Sequence, residues 1–260
     1  MNHDKSNALR SKAYQITVSY AQRTGHYNLQ NHRPCEDVLY MWEADNFLFY
    51  GLADGQRGAK CGVTGGRACL ETISAYIRTI GISNIIHAQF PDELPCTLVK
   101  EIRKQLLFMA HSQNTPYREF ASTLLAVAID SVSGEYVLLH LGDGYAVSIS
   151  RAGTSDIVSA PENGITAHHT WLTTSDNAAF HLRITFGSIE SKKRLLLMSD
   201  GATCFCRSNH MSKRIGDFLR MGTQEEILKH LTSCNSSDDA SCIILDFSIN
   251  ENPRENLCVP

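Results

Sequence analysis

Apolar residues alternate with polar ones in short runs at both ends and in the middle of this chain, and take helical spacing in two stretches between them. Alternation with β-branched and aromatic enrichment predicts strands over residues 14–20, 37–42 and 47–53, with Asp45-Asn46 as the hairpin turn between the last two. Beyond Gly55 the period lengthens. Gly65-Gly66 leads into a helix over 67–80, and a second follows over 96–111 with basic residues on its outer face. Strands resume at 122–129, 135–141 and 145–150, a β-meander joined by turns at 131–134 and at Asp143-Gly144.

From residue 161 to 190 the pattern weakens into a polar, Thr- and His-containing stretch, which reads as a loop or flap with poor internal order, mobile and placed to cover a site. Its segment Thr170-Trp171-Leu172-Thr173 is a mobile cover or a short packed strand with Trp171 in a satellite core. Residues 194–198 return to strand, and Thr223 with Glu226 three positions later forms a capping box that opens a helix over 224–231. A last strand covers 240–247 before a Pro- and Asn-containing tail. Without repeats, low-complexity tracts or linker-like breaks, the chain is expected to be one domain with its core over about 13–248 and frayed ends. Strands, two helices, more strands and a late helix argue an α+β layered fold rather than alternating βαβ units.

Composition narrows the classes of function. The 43% hydrophobic content suffices for a buried core, and a formal net charge of -3 leaves no basic footprint for nucleic acid. No apolar run approaches the ~18 residues of a membrane span, and the first dozen residues lack the apolar core of a signal peptide. Nine irregularly spaced cysteines fit reduced thiols better than a disulfide framework, so a soluble, cytoplasmic protein is expected. Cys204-Phe205-Cys206 lacks a second pair at zinc-finger spacing.

The chemistry lies where apolar runs end. Three of them stop at an Asp-Gly pair, Asp54-Gly55, Asp143-Gly144 and Asp200-Gly201, while Glu36-Asp37 and Asp238-Asp239 also flank strand-like runs. One Asp-Gly pair alone is a favoured hairpin turn. Five acidic segments at strand ends instead make an oxygen-only pocket, the donor set of Mg²⁺ or Mn²⁺. Two such ions about 3.5–4 Å apart activate water against a phosphoryl group, so metal-assisted phosphoester hydrolysis follows as the reaction class.

In order, the motifs are Arg33-Pro34-Cys35-Glu36-Asp37, Gly51-Leu52-Ala53-Asp54-Gly55 with Gly65-Gly66 beyond, Ala121-Ser122-Thr123-Leu124, Leu141-Gly142-Asp143-Gly144, Leu197-Met198-Ser199-Asp200-Gly201 and Asp238-Asp239-Ala240-Ser241. With these the chain resembles the metal-dependent type-2C serine/threonine protein phosphatases, over about residues 13–247, and a bacterial subgroup of them most. The resemblance implies a four-layer sandwich, two antiparallel sheets packed face to face and flanked by helices, with two tightly bound Mn²⁺ or Mg²⁺ ions and a weaker third. It implies that Asp54 bridges both metals, that the Gly55 carbonyl completes one shell, and that Asp37, or Glu36 beside it, holds the second ion. By the same resemblance Asp200 and Asp238 complete the first metal, Asp143 and Asp200 serve the third, and Arg33 binds the phosphate.

The substrate implied is a phosphorylated protein, with a serine/threonine kinase or its targets as partners, and neither nucleic acid nor membrane. Gln56 stands where some members of the family carry a histidine after Asp-Gly, which leaves His26 and His32 as candidate acids. Arg33 sits one residue closer to the acidic pair than the family's usual spacing, and Asp143-Gly144-Tyr145 lacks the usual serine. Two other functions are weighed: a catalytically silent regulatory module that binds a kinase or phosphopeptide, and a metal-dependent phosphodiesterase or nucleotidase.

Overall fold

The computed structural model of the protein describes residues 14–87, 91–162, 170–203, 220–233 and 237–249. The elements run β1 (Tyr14–Arg23), α1 (His26–Gln30), β2 (Asp37–Ala44), β3 (Phe47–Asp54), α2 (Gly62–Ile80), α3 (Ile82–Ile86), α4 (Leu94–Ser112), β4 (Leu124–Asp130), β5 (Glu135–Leu141), β6 (Tyr145–Ser150), β7 (Ser155–Ser159), α5 (Ala178–His181), β8 (Arg183–Ser188), β9 (Lys192–Met198), α6 (Asp200–Thr203), α7 (Gln224–Ser233) and β10 (Ala240–Ile249). Two five-stranded sheets result, ordered β1-β10-β9-β6-β7 and β2-β3-β4-β5-β8. Every described pairing is antiparallel.

Side-chain alternation sorts the core into layers. From β3, Tyr50 and Leu52 join Leu125, Val127 and Leu138 against Leu195, Leu197, Ile243 and Leu245 of the other sheet. Phe49 and Ala53, one residue out of phase, pack with Leu70, Ile73 and Ile77 of α2 and Leu98, Ile102 and Leu106 of α4. The outer face of the first sheet carries Leu196, Cys242 and Ile244 under Ile227 and Leu231 of α7. The order helix, sheet, sheet, helix is the expected four-layer α+β sandwich. It also explains why β4 and β9 read as almost unbroken apolar runs, since both of their faces are covered.

The stretch expected to be a disordered flap is different where it is described. Residues 178–181 form α5, and β8 pairs with β5 from Arg183↔His140 to Glu135↔Ser188. As an edge strand of intermediate burial, β8 carries little alternation, which is why its pattern escapes notice. Both ends of the segment are tied down: the Glu162 N–H donates to the Gly142 carbonyl (2.9 Å), Arg183 reaches the Ala160 carbonyl, and Glu162 pairs with His181 (2.7 Å). Trp171 stacks on His181 at 3.8 Å and packs against the helix-side core. Arg103 of α4 donates to the Ser175 and Asp176 carbonyls at 2.7 and 2.6 Å, so the exposed turn there is held from below. Residues 163–169, Cys204-Phe205-Cys206 and both tails lie outside the described residues.

Candidate active site

The β2–β3 hairpin turns at Asp45, whose φ of 52° is the left-handed conformation an Asp tolerates in a tight turn. Its register sets Asp37 directly opposite Asp54. In an antiparallel pair such partners project from the same face, so two carboxylates are forced together at one end of the sheet. Asp54 is pinned by Thr123, whose hydroxyl accepts the Asp54 N–H (2.9 Å) and whose N–H donates to the Asp54 carbonyl (2.8 Å). Gly55 donates to the Glu36 carbonyl at 3.1 Å, and Gln56 to that of Ala121 at 2.9 Å.

These strand ends open into a cleft of about 550 Å³. Its walls include Glu36, Asp54, Gly55, Asp143, Asp200, Asp238 and Asp239, together with Tyr27, Asn28, Gln56, Arg57, Thr123 and Thr170. Five of the six sequence-nominated metal-site residues thus share one cleft. Asp37 is the sixth; it is buried rather than wall-forming and accepts the Ser199 hydroxyl at 3.0 Å. Since Ser199 also accepts the Ser241 N–H (2.9 Å), that carboxylate joins the two sheets. Asp143 takes the Thr170 hydroxyl at 2.5 Å, and Asp200 opens α6.

Burial and like charge dominate the electrostatics. Burial, then Asp37, Asp200, Asp143 and Asp239, hold the Asp54 carboxyl well above the ordinary carboxylate range. Burial also pushes Asp37 up to about 7, with Asp239 and Asp200 adding to it while the Ser241 and Ser199 hydroxyls oppose it. The Asp37 Oδ1 is buried and lacks a partner in hydrogen-bonding geometry, although the Ser241 hydroxyl lies close. Crowded, desolvated, oxygen-only donors are the chemistry a hard divalent cation satisfies. Among the described residues, however, no three Asp, Glu, His or Cys side chains converge on one point; the carboxylates ring the cleft.

A carboxyl whose pKa is higher in the fold than in the unfolded chain stabilises the fold fully below its unfolded value and loses that contribution as pH rises through the folded value. For Asp37 the window runs from 3.8 to about 7. Asp37→Asn is therefore expected to raise the melting temperature of the chelator-treated protein at pH 8 by roughly 5–10 °C, with the gain vanishing near pH 4. An equal gain at both pH values would mean that charge is not what strains this position.

Arg33 is not on the cleft wall; it pairs with Glu36 at 2.6 Å. The cation on the wall is Arg57, which pairs with Asp238 and lies over the Tyr27 ring at 4.8 Å. Neither His26, bonded to Gln30 at 2.8 Å, nor exposed His32 lines the cleft. Sequence reasoning also passed over Asp239 in favour of its neighbour. The 6%-exposed Asp239 carboxylate accepts the Gly25 N–H (2.5 Å), the Asn28 amide (2.8 Å) and the Glu36 N–H (2.5 Å). Both residues line the cleft, and only the fold shows that Asp239 is the one whose carboxylate meets these donors.

Solved structures with this fold include phosphatases of bacteria. A bacterial serine phosphatase superposes with a TM-score of 0.66 at 17% identity, covering 92% of this chain and 100% of its own. The serine/threonine phosphatase Stp1 from Staphylococcus aureus gives 0.67 at 16% identity, covering 90% and 96%. RsbX in complex with magnesium gives 0.56 at 14% identity, covering 90% and 96%. No curated protein sequence matches significantly. The sequence profile described as Protein phosphatase 2C matches residues 24–235, and the chain belongs to that family.

Proposed function

We propose that the protein is a Mn²⁺- or Mg²⁺-dependent phosphatase of phosphoserine and phosphothreonine in proteins. The observation that carries this is the ring of carboxylates from five chain segments in one cleft, whose burial and mutual repulsion lift the Asp54 pKa. Asp54, the Gly55 carbonyl, Asp200 and Asp238 are the proposed inner ligands, with Asp37 or Glu36 on the second ion and Asp143 at the looser edge. Bound ions of this kind acidify water and neutralise phosphoryl oxygens. Thr123 holds Asp54 in place from both its hydroxyl and its main chain. Gln56, on the wall, has no acidic proton for the leaving alkoxide.

Phosphoprotein substrates, and a serine/threonine kinase acting on the same targets, are the partners this reaction needs. No helix among the described residues is long and apolar enough to cross a membrane. Cys35, Cys61, Cys69, Cys96 and Cys242 are free thiols, which supports a reducing compartment such as the cytoplasm.

Hydrolysis of an aryl phosphate and of phosphothreonine peptides is expected only with added Mn²⁺ or Mg²⁺, and to cease on chelation. Full activity after exhaustive chelation would refute the proposal. One observation favours a second function, a silent phosphoprotein-binding module: among the described residues no three ligands converge, and Arg57 occupies Asp238. Binding of phosphopeptide without turnover at any metal concentration would establish that alternative.

A further inference from the structure

We infer that Arg57, rather than Arg33, is the side chain that receives the substrate phosphate, and that it becomes available by giving up Asp238. The inference rests on the phosphatase function proposed above and concerns which cation serves it. Arg33 is committed elsewhere. Its guanidinium is bound at 2.6 Å to Glu36 and does not line the cleft.

Arg57 has the opposite setting. It stands on the cleft wall with half of its side chain exposed, and it is the one cation among the described residues of that wall. The Tyr27 ring beneath it at 4.8 Å fixes the guanidinium plane and leaves the edge N–H groups to bond. Its loop is short and anchored: the Gln56 N–H binds the Ala121 carbonyl (2.9 Å), the Lys60 N–H binds Glu119 Oε2 (2.9 Å) and the Cys61 N–H binds the Glu119 carbonyl (3.0 Å). Between these anchors Gly58 has φ 85° with open space around it, so the tip can adjust without disturbing the core.

Asp238 therefore has two competing claimants, the Arg57 guanidinium and a divalent ion. Without metal the ion pair holds both side chains in the cleft. Once Asp238 serves an ion, its charge is shared and the Arg57 fork is released toward the cleft, where its planar donors match the oxygens of a phosphate monoester. Metal and phosphate then help each other to bind, since each favours the separated pair, and the coupling must be reciprocal.

The test compares the full chain with Arg57→Ala, Arg57→Lys and Arg33→Ala by calorimetry, first titrating Mn²⁺ and then inorganic phosphate into the Mn²⁺-loaded proteins. Arg57→Ala is expected to bind Mn²⁺ as tightly as the wild type or a few-fold tighter. Its phosphate affinity should fall by about 10- to 100-fold, the loss of charge-assisted hydrogen bonds. Arg57→Lys should recover part of that loss, and KM for a phosphopeptide should rise in parallel while kcat stays within a few-fold. The opposite signs for metal and phosphate are what a merely structural arginine would not produce. Loss of both affinities together in Arg57→Ala overturns the inference, as does unchanged phosphate affinity there with a loss in Arg33→Ala. A wild-type protein that binds no Mn²⁺ and hydrolyses no phosphomonoester removes the phosphatase proposal and this inference with it, whereas normal turnover in Arg57→Ala with KM and phosphate affinity both unchanged removes the inference alone.

Discussion

Asp54→Asn is expected to reduce turnover of an aryl phosphate by at least about a thousand-fold, because neutralising a carboxylate proposed to bridge two ions removes several kcal/mol of transition-state stabilisation. The loss should come without unfolding. Asp54 faces Asp37 across the hairpin and has its pKa raised by burial and by four neighbouring acids, so the amide relieves repulsion in the metal-free protein. The main-chain bonds to Thr123 are untouched by the change. Melting temperature measured under chelation should hold or rise while turnover collapses. Turnover within tenfold of the wild type would move the chemistry away from this carboxylate.

Asp239→Ala is expected to do the reverse and strike the fold first. Its carboxylate answers three N–H donors, from Gly25, Asn28 and Glu36, at 2.5, 2.8 and 2.5 Å. Removal leaves those donors buried beside a void, at a cost of about 3–5 kcal/mol, or roughly 10 °C in melting temperature for a protein of this size. Glu36 lies on the cleft wall, so the site should loosen even below the melting range. A scanning calorimetry shift under about 2 °C would show that the three donors find other acceptors, and Asp239 would lose its standing as the brace.

The parts of this structure that repeat at a fixed period were legible in the chain. Strands with both faces buried, such as β3 and β4, declare themselves by composition, and the Asp45 turn sets the register of β2 on β3, which brings Asp37 and Asp54 together. What escaped is short, edge-on or without a period. The five residues of α1 make too little helix for amphipathic spacing. β7 is largely exposed and β8 only partly covered, so neither needs the alternation that marks a central strand. At the site, strand ends announced carboxylates, but nothing local distinguishes inward Asp239 from Asp238, whose charge meets Arg57. Arg57 itself sits on a loop, where a cation has no pattern around it; only the approach of α1, with Tyr27, gives it a role.

The Asp239 brace ties residues that stand more than two hundred positions apart in the chain, and it lies beside the pairing of β1 with β10, which runs from Tyr14↔Ile249 to Arg23↔Ala240. Contacts of that separation form late, because the intervening chain must be ordered before its ends can meet. On the ribosome the acids at Asp37 and Asp54 emerge well before the strand that completes their surroundings. A growing chain of this protein therefore carries an unfinished cleft until β10 has joined β1 and β9 in the first sheet.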